Sequence, residues 1–143
     1  MSSFIERLKE HMQDMHLTQK VLQSEHGIPN ATMSGFLHGK AMPTYETLIK
    51  LLNVFSCSAD FLLGLEEYPT EETLYPVQPF SQRFKQILAD KHISQEHVKR
   101  ELPVSASVLY KWVSGKNLPS ATSLIRLAEF LDCSVDYLIG RRR

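Results

Sequence analysis

The chain has 143 residues, with 16 Lys and Arg against 16 Asp and Glu, so its formal net charge is zero. Hydrophobic residues make up 43% and charged residues 22%, which is typical of a soluble globular protein with one or two small domains. No apolar run approaches the roughly 20 residues of a membrane-spanning helix, no secretion signal opens the chain, and two cysteines make no disulfide framework. We therefore expect a cytoplasmic protein with reduced thiols.

The sequence repeats itself with a shift of 76 residues and no gap. Residues 4–64 align with residues 80–140, and 18 of these 61 pairs are identical, which indicates one unit present twice. Between the copies, residues 65–79 contain three prolines and four glutamates, a composition that favours an extended linker. We predict domain 1 over residues 1–67, a linker over 68–79, and domain 2 with a basic tail over 80–143.

Each copy predicts five short helices. In the first, Phe4, Leu8 and Met12 lie on one helical face, and later apolar positions keep helical spacing. Helix starts and stops are indicated in the first copy by Thr18, Gly27, Gly39, Thr44, Ser58 and Gly64. At the aligned positions the second copy has Ser94, Pro103, Gly115, Ser120, Ser134 and Gly140. Because no segment alternates with a period of two over strand length, we predict an all-α fold.

The second and third helices of each copy form a helix-turn-helix pattern. The first copy carries it as Leu17-Thr18-Gln19, Gly27, Gly39-Lys40, Pro43 and Ser58-Ala59-Asp60-Phe61-Leu62-Leu63-Gly64. The second copy carries it as Ile93-Ser94-Gln95, Gly115-Lys116, Pro119 and Ser134-Val135-Asp136-Tyr137-Leu138-Ile139-Gly140. This pattern resembles the lambda-repressor-like, Cro-type helix-turn-helix family, also called the xenobiotic response element family. The resemblance implies two tandem five-helix DNA-binding domains in a bacterial or phage-type transcriptional regulator, usually dimeric and often a repressor.

The resemblance also implies which residues contact double-stranded DNA. The family places the third helix in the major groove and a glutamine at the start of the second helix on the DNA. A lysine just after the third helix would add a contact to phosphates by its charge. In the first copy these positions are Gln19, Asn30, Ala31, Thr32, Ser34, Gly35 and Lys40. In the second copy they are Gln95, Ala106, Ser107, Tyr110, Lys111 and Lys116.

The side chains at these positions differ between the copies. The amide of Asn30 suits adenine, the methyl groups of Ala31 and Thr32 suit thymine, and Lys111 suits guanine or a phosphate. If both copies read bases, the DNA site is asymmetric. One chain could act as a pseudo-dimer on such an operator, or two chains could form a homodimer.

Charge is divided unequally between the copies. Residues 1–67 have a net charge of −3, and residues 80–143 have a net charge of +5. Because phosphate neutralisation supplies most non-specific affinity for DNA, the second copy is the stronger candidate binder. Its candidate cations are Lys99, Arg100, Lys111, Lys116 and the tail Arg141–Arg143, and we expect this tail to be disordered without DNA.

Four departures from the family pattern support an alternative. Gln23 and Lys99 stand where the family prefers alanine, His26 stands in place of a buried leucine, and Pro103 replaces the glycine of the turn. The alternative is a protein-interaction or dimerisation module that has kept the fold and lost DNA binding in one or both copies. The sequence contains no metal-ligand spacing, cofactor motif or catalytic arrangement, so we expect no cofactor, no metal and no enzymatic activity.

Overall fold

The computed structural model describes residues 3–143, which contain ten α-helices and no strand, and the predicted all-α class is confirmed. The first two residues of the predicted domain 1–67 lie outside the described residues. By its internal contacts the chain divides into two compact units, Met1–Glu71 and Glu72–Arg143, with five helices in each. No helix in the described part of the chain is long and apolar enough to cross a membrane.

The five helices of the first unit begin where the sequence offers a capping side chain or a proline. They are α1 Phe4–Asp14, α2 Gln19–His26, α3 Asn30–Leu37, α4 Tyr45–Phe55 and α5 Ala59–Leu62. The hydroxyls of Thr18, Thr44 and Ser58 each accept a hydrogen bond from the backbone N–H three residues later, which confirms the predicted starts of α2, α4 and α5.

The second unit repeats this order. Its helices are α6 Phe80–Asp90, α7 Gln95–Glu101, α8 Ala106–Ser114, α9 Ala121–Leu131 and α10 Val135–Leu138. The predicted caps Ser94, Ser120 and Ser134 act in the same way, and Ser105 adds a fourth at the start of α8. Gly115 ends α8 with a φ of 79°, a left-handed conformation that suits glycine.

The core of each unit supports the second and third helices. In the first unit Leu22 of α2 and Met33 of α3 are fully buried, and α3 packs against both α1 and α2. In the second unit Val98 of α7 and Leu109 of α8 are buried at the matching positions, with α8 packed against α6 and α7. Burial of each of these four side chains contributes about 2 kcal/mol of transfer free energy, which stabilises the packing of the second helix against the third.

An arginine, buried in the first unit and half-buried in the second, connects the first helix of each unit to the end of its fifth. The guanidinium of Arg7, 3% exposed, donates to the carbonyls of Phe61, Glu66 and Glu67 at 3.1–3.3 Å and lies 3.7 Å from the Phe61 ring centre. Arg83 of α6 donates to the Tyr137 carbonyl at 2.8 Å. These bonds compensate the cost of removing a charge from water.

The basic tail of the second unit is packed against the segment that precedes α6. The N–H of Tyr75 donates to the Arg141 carbonyl at 2.8 Å, and the N–H of Gln78 donates to the Ile139 carbonyl at 3.0 Å. The guanidinium of Arg143 lies 4.0 Å from the centre of the Tyr75 ring. The expectation of a disordered tail was therefore wrong, because the residues before α6 supply it with backbone N–H donors and an aromatic face.

Candidate nucleic-acid interface

The turn between α2 and α3 depends on a glycine. Gly27 ends α2 with φ 69° and ψ 28°, and its N–H donates to the Gln23 carbonyl at 3.3 Å. The bond from Gly27 is that of an αL C-cap, and the N–H of Ile28 donates to the Leu22 carbonyl at 3.0 Å. Because the Ile28 side chain is buried, the turn is anchored in the core and the direction of α3 is set.

The first turn of α3 faces solvent while its other face is buried. Asn30 and Ala31 are exposed, whereas Met33 and Phe36 are buried. The N-cap residue Pro29 has no side-chain acceptor for this helix. The acceptor comes from α2 instead, because the Oε1 atom of Gln23 receives the Asn30 N–H at 2.8 Å.

The second unit forms the same motif with a different turn. Leu102, after the end of α7, is extended, with φ −115° and ψ 147°, so the chain passes into Pro103 without a left-handed residue. The hydroxyl of Ser105 then caps α8 by accepting the Val108 N–H at 3.1 Å. This arrangement explains how the second copy dispenses with the glycine that its turn lacks.

The predicted site residues all lie on accessible parts of the two motifs. Gln19 and Gln95 are the first residues of α2 and α7, and Lys40 and Lys116 follow α3 and α8. Exposed members of the set are Asn30, Ala31, Lys40, Gln95, Ala106, Ser107, Tyr110, Lys111 and Lys116. Half-buried members are Gln19, Thr32, Ser34 and Gly35.

The candidate cations of the second unit differ in how they are engaged. Lys99 forms an ion pair with Glu96 at 3.3 Å, Arg141 pairs with Asp136 at 3.2 Å, and Arg142 lies 3.8 Å from the Glu72 carboxylate. The other four candidate cations form no ion pair within residues 3–143 and are exposed, and these are Arg100, Lys111, Lys116 and Arg143. The Nζ atom of Lys116 lies 5.2 Å from the centre of the Tyr110 ring, which is 58% exposed. Two of these four cations, Lys111 and Lys116, lie on and beside α8, whereas Arg100 lies on α7 and Arg143 lies over the Tyr75 ring.

Sequence reasoning missed two residues of this surface. Val108, in the first turn of α8, is 40% exposed, although its apolar side chain reads as core in a helical pattern. Gln23 was interpreted only as a departure from alanine, yet it caps α3. The signal that could have found Gln23 was Pro29, an N-cap residue with no acceptor of its own.

Comparison with known proteins supports the same motif in both units. A family model described as a Cro/C1-type HTH DNA-binding domain matches residues 7–67, and a model described as helix-turn-helix matches residues 84–138. Over 61 residues the chain is 32% identical to the HTH-type transcriptional activator BcrR of Enterococcus faecalis, a region that covers 43% of this chain and 30% of that protein.

A second relative is the HTH-type transcriptional regulator ImmR of Bacillus subtilis (strain 168), which is 38% identical over 61 residues, or 43% of this chain and 48% of that protein. The match thus spans less than half of each of these two relatives. No solved structure gives a significant match. The two family models lie on separate segments that each fold into the helix-turn-helix described above, so both units are helix-turn-helix domains, and residues 7–67 match the Cro/C1 type.

Proposed function

We propose that the protein is a sequence-specific transcription regulator that binds double-stranded DNA by inserting α3 and α8 into the major groove. The observation that carries this proposal is the exposure of the first turns of α3 and α8 on helices whose opposite faces are buried. A helix of eight residues is about 12 Å long, and its width of 10–12 Å fits a groove about 12 Å wide.

The two reading surfaces have different chemistry. The exposed amide of Asn30 can bond an adenine edge bidentately, and Ala31 offers a methyl group to thymine. On α8 the exposed ammonium of Lys111 suits a guanine edge, and the Tyr110 hydroxyl adds a donor and an acceptor. The proposed operator is therefore asymmetric, with one half for each copy.

Phosphate contacts would fix the motif on the duplex. Gln19 and Gln95 lie at helix N-termini, where the side-chain amide and the helix dipole favour an anion. Lys40 and Lys116, exposed after α3 and α8, would add charge to the phosphates. These contacts position the motif and carry little sequence information.

We propose repression as the direction of regulation, because a protein seated in the groove of a promoter excludes other proteins from it. The two relatives are named a transcriptional activator and a transcriptional regulator, and both names support control of transcription. We place this activity in the cytoplasm of a bacterium. A promoter–reporter assay distinguishes repression from activation, and reporter output should fall when the protein is present. Each chain offers two recognition helices, so occupancy by one chain as a pseudo-dimer or by a homodimer should be measured from the mass of the complex.

A second candidate function is a protein-interaction module, and it concerns the first unit above all. Residues 1–67 have a net charge of −3, and the first turn of α3 contains no cation. Such a surface gains less from phosphates than α8 does. If the first unit binds a partner protein, Asn30→Ala should leave DNA binding intact while Lys111→Glu abolishes it.

The test is selection of duplexes from a random pool by the full-length chain, followed by binding titrations against salt. The proposal expects a recurring motif and an affinity that falls steeply as salt rises. Lys85→Ala is a matched control, because Lys85 is exposed on α6, outside both helix-turn-helix motifs. Binding no tighter than to random duplex at low salt would contradict the proposal.

A further inference from the structure

The first backbone N–H groups of α3 lack the hydroxyl acceptor that most helices in the described part of the chain have. The first N–H groups of a helix have no partner within the helix and need an acceptor from elsewhere. Serine or threonine caps supply it for eight of the ten helices in residues 3–143, whereas α3 and α6 begin after prolines. Of these two, α3 is the helix that the proposed function places in the groove.

Gln23 provides the missing acceptor from the neighbouring helix. Its Oε1 atom lies 2.8 Å from the N atom of Asn30, seven residues further along the chain. Because a backbone N–H can only donate, the carbonyl oxygen of the side-chain amide must face it, and the NH₂ group points away. One side chain from the middle of α2 thus contacts the first turn of α3.

We infer that Gln23 is a positioning residue for base recognition, a role that rests on the proposed function. It holds the first residue of α3, Asn30, in register with α2, and α2 lies across the DNA backbone in this proposal. The bond fixes the angle between the helix on the backbone and the helix in the groove. Small displacements of Asn30 misalign a bidentate contact, so loss of the cap should lower selectivity more than general affinity.

The two copies cap the third helix of their motif with different side chains. Lys99 occupies the position of Gln23 and pairs with Glu96, while Ser105 occupies the position of Pro29 and caps α8 with its own hydroxyl. The backbone of Pro29, with φ −59° and ψ 146°, is close to that of Ser105, with φ −77° and ψ 158°. A serine therefore fits at position 29 without a change of backbone.

The experiment measures discrimination by the full-length chain between the selected duplex and a duplex changed at the base pair assigned to Asn30. A side-chain cap is worth about 1 kcal/mol, so Gln23→Ala should reduce this discrimination by about fivefold. Adding Pro29→Ser to Gln23→Ala should restore it. In an Asn30→Ala background Gln23→Ala should have no further effect on discrimination, which a general loss of stability would not produce.

The outcomes separate this inference from the function on which it rests. A wild-type chain that selects no duplex overturns both, whereas selective wild-type binding with unchanged discrimination in Gln23→Ala overturns only the role of Gln23. Failure of Pro29→Ser to restore discrimination also overturns it. If Gln23→Ala does not fold, Gln23→Lys with and without Pro29→Ser makes the same comparison, because the pair copies the lysine and serine of the second copy.

Discussion

Replacing Lys116 by alanine should weaken the dependence of DNA binding on salt, whereas replacing Lys99 should not. Lys116 is exposed after α8, and within residues 3–143 it forms no ion pair; its Nζ atom lies 5.2 Å from the Tyr110 ring centre. Lys99 is already paired with Glu96 at 3.3 Å. The ammonium of Lys99 would have to break this ion pair before it could neutralise a phosphate.

The expected magnitude follows from counterion release. Each phosphate neutralised contributes about 0.9 to the slope of log K against log salt, so Lys116→Ala should make the slope shallower by about 0.9. Between 50 and 200 mM salt, this difference corresponds to a factor of roughly 3.5 in the loss of affinity. Lys99→Ala should change the slope by much less.

Fluorescence anisotropy with the selected duplex gives these slopes for the full-length chain at several salt concentrations. A circular dichroism melt of each variant controls for folding. An unchanged slope in Lys116→Ala together with a shallower slope in Lys99→Ala would refute the reasoning, because it would place the phosphate contact on the paired lysine and not on the free one.

The other predictions concern stability. Arg141→Ala should lower the free energy of unfolding in urea by about 3 kcal/mol, because it removes a partner of the Asp136 carboxylate, which has no exposed side-chain surface; a change below 0.5 kcal/mol would contradict this. Burial raises the pKa of Tyr45 to about 12, so the unfolded chain loses the phenol proton first as pH rises. Stability should therefore decline between pH 10 and 12 by about 2–3 kcal/mol, a decline that Tyr45→Phe should abolish in pH-dependent unfolding. Gly27→Ala should cost about 1 kcal/mol in thermal melts because its φ is 69°. Gly35→Ala is the control, since it lies within α3 with ordinary contact distance for a Cβ atom, and an equal cost at both sites would show that φ is not the cause.

Much of the local structure could be predicted from the sequence, because it depends on neighbours within a few residues. Thr18 and Ser94 cap the second helix of each unit as expected, since a hydroxyl reaches the N–H three residues later within one turn. Gly27 adopts the left-handed conformation that its place at the end of α2 indicated. The accessible reading surface followed from the helical period, which leaves Asn30 and Lys111 opposite the buried residues.

The remaining features depend on contacts between residues that the local pattern does not connect. Gln23 caps α3 only because the turn brings α2 beside Asn30, and the spacing of seven residues has no meaning until that turn is formed. The packing of the tail could not be predicted either, since a run of three arginines is typical of a free basic segment. Its backbone and Arg143 instead pack against Tyr75, so the partners decide its role.

The sequence by itself determined the repeat, the helical class and the starts of the second, fourth and fifth helices of each unit, because apolar period and hydroxyl capping are short-range properties of the chain. Only the tertiary structure decided which polar groups are free and which are engaged. Arg143 lies over the Tyr75 ring, whereas Lys111 is exposed and forms no ion pair within residues 3–143, and no count of charges along the chain distinguishes them. The physical reason is that the Gln23 cap of α3 and the contact of Arg143 with Tyr75 join residues that only folding brings together.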